Sequence, residues 1–92
     1  MGRYYFHLSD GENILRDNEG ADLPDTEAAA ERALDSARDI LSAEIRMGRI
    51  PLNMHLAVED DAGLTVHRLP FAQAFEIVPE RPEHDEGRFQ PA

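Results

Sequence analysis

The sequence predicts an α+β fold, a two-layer β-β-α-β-β sandwich in which a four-stranded antiparallel sheet carries one long helix on one face, with a short C-terminal helix as an open addition. Three observations predict it. Apolar residues recur at spacings of three and four between Asp25 and Met47, at Ala30, Ala33, Leu34, Ala37, Ile40, Leu41 and Ile45. Segments of alternating polarity flank that stretch on both sides. Each alternating pair is joined by a short run containing Asp and Gly, the residues that tight hairpins need. A helix with one apolar stripe covers one sheet face, so two layers satisfy both elements.

Arg3 to Leu8 reads as the first strand, with Tyr4, Phe6 and Leu8 on one face and Tyr5 and His7 on the other. Ser9-Asp10-Gly11-Glu12 turns the chain into a short second strand, about 13–17. A two-residue loop pairs Phe6 with Leu15 and a three-residue loop pairs Leu8 with Ile14; the former is preferred. Asn18-Glu19-Gly20 turns again, and Leu23 folds onto the first helical turn as an apolar lid. Asp25 is the expected N-cap, because its carboxylate accepts the free N–H groups of that turn. Gly48 ends the helix in a left-handed conformation and Pro51 prevents its resumption. The alanine half of the stripe lets the sheet approach closely, and the larger Leu41 and Ile45 fill the other end.

Beyond the helix, 52–59 alternates with Met54, Leu56 and Val58 inward. The three-residue loop Asp61-Ala62-Gly63, with Gly63 left-handed, then sets Val58 opposite Val66 in a strand over 64–69. Pro70 to Val78 starts a short helix with Phe71, Phe75 and Val78 on one side, or forms a fifth extended segment. Residues 1–78 make one domain. Residues 79–92, with three of the six prolines and a single large hydrophobe, read as a disordered acidic tail. With a right-handed crossover, strand order 2-1-3-4 leaves all neighbours antiparallel.

Composition narrows the function classes. Nine basic residues, all Arg, against nineteen acidic ones give a net charge of −10, which speaks against nucleic acid as a partner and for a basic protein, if any charge-driven one. The absence of cysteine removes disulfides, thiol catalysis and thiolate metal sites. The first residues carry acids from Asp10 onward and read as neither signal peptide nor membrane span, so a cytoplasmic protein is expected. No glycine-rich phosphate loop, calcium loop or oriented Ser–His–Asp set is visible, and no cofactor is expected.

The run Arg3-Tyr4-Tyr5-Phe6-His7-Leu8, then Asp10-Gly11, Asp17 to Gly20, and Leu23-Pro24-Asp25 with Glu27-Ala28-Ala29 opening a helix, resembles a family of small bacterial proteins known only as a domain of unknown function. The likeness reaches Phe71. It implies a compact domain in a bacterial cytosol and brings no activity, cofactor or catalytic residue. A weaker likeness is to the HicB-type antitoxins, whose hairpin is followed by a helix like that of Thr26-Glu27-Ala28 with Ala33 and Ala37. No DNA-binding segment follows the last strand.

Three groups of residues are candidates for chemistry or binding. The first is the outward sheet face, where Tyr5, His7, His55, Ala57, Thr65, His67 and Leu69 form a mixed aromatic, small and apolar surface left uncovered by the single helix. Within it, His7, His55 and His67 are metal candidates with Glu59 as a carboxylate ligand, since His67 opposite Ala57 lies diagonal to His55, roughly 7 Å away at Cβ. The third group is the ridge Glu27, Glu31, Asp35 and Asp39, whose like charges at four-residue spacing repel. The leading reading is a non-enzymatic interaction module that dimerises or docks on a protein through the open face or an edge strand. The alternatives are an antitoxin-like inhibitor whose ridge covers a basic surface, and a histidine-based metal protein.

Overall fold

A computed structural model describes residues 1–81. The chain runs β1 (Gly2–Ser9), β2 (Ile14–Leu15), β3 (Ala21–Leu23), α1 (Thr26–Arg46), β4 (His55–Glu59) and β5 (Thr65–Pro70), followed by a 3-10 turn at Phe71–Gln73. The antiparallel sheet has order β2-β1-β4-β5, as expected, with a fifth strand that sequence reading missed: β3 pairs with β1, Gly2 opposite Leu23 and Tyr4 opposite Ala21. The segment expected to be an apolar lid is thus an edge strand, and Leu23 still packs against the core. The expected tail lies mostly outside the described residues, and 79–81 carry no regular structure.

The helix is bounded by local chemistry. Asp25 caps it, its carboxylate accepting the Ala28 N–H at 2.9 Å. At the other end Gly48 takes φ +88°, its N–H donates to Ile45 O, and the Arg49 N–H reaches back to Glu44 O. That paired closure satisfies carbonyls the helix leaves free. The buried stripe is Ala29, Ala33, Ala37 and Leu41, one residue every four, packed on β3, β4 and β5. Ala29 takes the place expected for Ala30, and Ile45 lies outside the core, because the stripe ends where the sheet does.

The core joins that stripe to Tyr4, Leu56, Val58, Leu69, Phe71 and Ala74. Phe71 is fully buried and its N–H donates to Met54 O, so the final segment is a single 3-10 turn rather than a helix or strand. Phe75 packs against the core, and Ile77 and Val78 are exposed.

Both hairpins differ from expectation in register. Ser9 pairs with Ile14 and Leu8 with Leu15, and the Asp10 N–H bonds Asn13 O, so the first loop keeps two residues, Gly11 and Glu12, but sets Leu8 rather than Phe6 opposite Leu15. The Asp10 carboxylate accepts the N–H groups of Asn13 and Glu12, which closes the loop and lowers the Asp10 pKa. In the second hairpin the expected loop is present: Asp60 N–H bonds Leu64 O, Gly63 has φ +83°, and Glu59 opposes Thr65. One step further a bulge inserts Val66, so that Val58 opposes His67 and Leu56 opposes Leu69. His67 and Leu69 therefore belong to the helix-side face, not to the outward face where an uninterrupted ladder puts them. The reason is polarity. Without the bulge, Arg68 points into the core and Leu69 into solvent; with it, Leu69 is 6% exposed and Arg68 is outside.

Candidate functional site

Register places Tyr5, His7, His55, Ala57 and Thr65 on the outward face together with Glu59 and Arg68. Five of the seven expected interaction residues thus share it. They are not equally available. Thr65 and Arg68 are exposed and Ala57 and His55 half-buried, whereas His7 is only 7% exposed.

What covers His7 is the segment between β2 and β3. β1 has eight residues, but β2 pairs only with Leu8 and Ser9, and β3 only with Gly2 to Tyr4. Over the gap the Asp17 side chain substitutes for a strand. Its Oδ2 accepts the Phe6 N–H at 3.0 Å, and its Oδ1 accepts the N–H groups of Glu19 and Gly20, both at 3.1 Å. Burial pushes the Asp17 pKa up, but those three backbone donors outweigh it, and the pKa is lowered. The sequence signal for this strap is Asp17-Asn18-Glu19-Gly20, an Asx turn closed by a left-handed glycine. Sequence reading recognises the turn and misses its attachment to β1.

The Asp17 N–H donates to His7 Nδ1 at 3.1 Å. A backbone N–H can only donate, so Nδ1 is the acceptor nitrogen and Nε2 carries the proton, which it donates to Glu59 Oε1 at 3.2 Å. His7 is thereby clamped between the strap and β4. Both ring nitrogens are engaged, and the arrangement ties three stretches of chain together. A shallow cavity of about 330 Å³ beside it is lined mainly by Tyr5, Arg16, Glu59, Asp60 and Asp61.

The three histidines do not converge. His7 is held as described, His55 sits at the far end of the same face opposite Ser9 and Pro70, and the bulge sends His67 to the other side. Among the described residues no group of three or more His, Cys, Asp or Glu is placed to hold a metal ion. His55 has its pKa lowered from 6.5, first by burial and then by the positive charge of Arg68. The acidic ridge Glu27, Glu31, Asp35 and Asp39 is exposed along its whole length. No helix among the described residues is long and apolar enough to cross a membrane.

These features define the class: a small two-layer α+β domain with one helix-covered sheet face, one open face, and a strap pinned across the first strand. The family model of a domain of unknown function (DUF6894) matches residues 3–72, and the chain belongs to that family. No curated protein and no solved structure gives a significant match. The matched span includes the helix and every strand except Gly2 at the start of β1, and it ends within the 3-10 turn.

Proposed function

We propose that the domain is a non-enzymatic protein-interaction module that works through its open sheet face in the bacterial cytoplasm. The observation that supports this reading is the one-sided packing: α1 packs on β3, β4 and β5 from one side only, and on the other Thr65 and Arg68 stand exposed beside half-buried Ala57 and His55. Face docking is favoured over strand addition, because the free strand β5 carries a bulge at Val66, a charge at Arg68 and Pro70 at its end. Each of these blunts an edge against pairing. The bonds of His7 give that residue a task in holding the fold, which supports a binding rather than a catalytic reading of the face.

The test is a photo-crosslinking residue placed at Thr65, with a control at Glu31 on the helix. The expected result is one protein crosslinked from position 65, lost when Arg68→Glu reverses the charge beside it. Crosslinking from position 31 alone refutes the face and favours the second reading, an inhibitor that covers a basic partner with the exposed ridge Glu27, Glu31, Asp35 and Asp39.

A further inference from the structure

A second surface, separate from the open face, lies between the C-terminal half of α1 and the segment after β5. It is a groove of about 610 Å³ lined by Leu41, Ile45, Ala74 and Phe75, with Arg38 and Arg46. The two walls are tied together, since Arg38 Nε donates to Ala74 O at 2.8 Å. On α1, residues 38, 41, 42, 45 and 46 of the lining lie at i, i+3, i+4, i+7 and i+8, one face of the helix. The helical acids Glu27, Glu31, Asp35, Asp39 and Glu44 are absent from the groove's lining, so in a chain of net charge −10 the groove is mainly apolar and, among the described residues, its charged lining is Arg38 and Arg46.

Its complement is in the same chain. Directly after Phe75 comes Glu76-Ile77-Val78-Pro79-Glu80, in which two branched aliphatic residues are flanked by carboxylates. Ile77 is 75% exposed and Val78 79% exposed, and neither packs on the chain's own core. The segment has no regular structure, and Pro79 disfavours helical backbone at Val78. It begins directly after Phe75, which is part of the groove's wall.

We propose that the segment 76–80 is an arm that seats in the groove of a second copy, so that two chains associate by reciprocal exchange. Ile77 and Val78 of each chain fill the apolar groove of the other, and Glu76 and Glu80 lie against Arg38 and Arg46. The contact is isologous, as a two-fold dimer requires: the arm of each copy meets the groove of the other. It answers two features of the single chain at once, the exposed aliphatic pair and the uncovered groove. A contact built on two short arms falls near the small end of stable interfaces, about 1,200 Å² in total, so the dimer is expected to dissociate on dilution.

The experiment is light scattering on the full chain from low micromolar to near-millimolar concentration, with far-UV circular dichroism and thermal melting of each variant. The expected mass rises with concentration from 10.3 kDa to twice that value. Ile77→Ser with Val78→Ser removes two anchors that the monomer leaves in solvent. It should leave the melting curve unchanged and weaken association about a hundredfold or more. Ile45→Asp should do the same from the groove side. Mixing the arm variant with the groove variant should restore a weaker association, because that pair keeps one intact arm and one intact groove. A monomer at every concentration overturns the proposal. So does a dimer that survives the serine substitutions, or one that Arg68→Glu dissolves while they do not, since that dimer uses the open face instead.

Discussion

Gly20 shows how much one position can decide. Its φ is +71°, and a Cβ built there lies 2.9 Å from the Tyr4 carbonyl oxygen and 2.9 Å from Tyr5 Cε2. The tyrosine ring can swing, but the carbonyl belongs to β1 and is fixed by pairing with β3. Gly20→Ala is therefore expected to lower stability by about 2 kcal/mol in urea denaturation. At Gly63, with φ +83° and open space around the same Cβ, only the backbone conformation opposes alanine, and a loss of about 1 kcal/mol is expected. Equal losses at the two sites would show that the strap does not press on β1.

His55 supplies the second prediction at this scale. Its pKa is lowered from 6.5, so the unfolded chain takes up the proton more readily than the folded one. Its contribution to stability is complete above 6.5 and declines as pH falls from there through the lower, folded value. An NMR titration should place the ring's midpoint below 6.5. Arg68→Ser should raise it only part of the way back, because burial is the larger cause. A full return would assign the shift to charge alone.

At the scale of elements, the helix and the last hairpin differ in how they are determined. The stripe Ala29, Ala33, Ala37 and Leu41 puts alanine where α1 lies closest to the sheet, and Ala33 has no exposed surface. Ala33→Leu must push the helix off the sheet or force strained rotamers. A loss of about 1–3 kcal/mol is expected in thermal unfolding, and an unchanged midpoint would mean that the two layers are loosely packed there. In the hairpin, loop chemistry and strand register are set by different interactions. Gly63 and Asp60 close the loop as local sequence dictates, whereas the bulge at Val66 answers to the helix, which accepts Leu69 and not Arg68. Strand β2 is shorter than expected because Asp17 takes over its role beside Phe6.

For the molecule as a whole, Phe71 is the residue that joins the layers. It is the largest fully buried side chain among the described residues, it sits just after β5, and its N–H anchors the chain to Met54 ahead of β4. Phe71→Ala should cost about 3–5 kcal/mol by denaturant unfolding. The same substitution loosens the segment that carries Ala74 and Phe75, so it should also weaken self-association through the groove; a destabilised variant that still associates normally would separate the two. In a chain with net charge −10 and nineteen acids, the groove beside the C-terminal half of α1 is lined, among the described residues, by apolar and cationic side chains without a carboxylate. That segregation exists only in three dimensions.

The sequence by itself determined the α+β class, the strand order through β4 and β5, the helix with its Asp25 cap and Gly48 closure, and the second loop. The helix ends and the second loop rest on interactions between residues close in the chain, where capping and left-handed glycine are legible, and the class and strand order follow from periodicity and the handedness of the crossover. Tertiary structure decided which face His67 and Leu69 occupy, because a single inserted residue reverses the parity of everything beyond it and is invisible to a pattern of period two. It also decided that Asp17 and Glu59 hold His7. Those bonds join residues 10 and 52 positions apart, and no local signal specifies which distant donor a carboxylate or an imidazole will meet once the strands have paired.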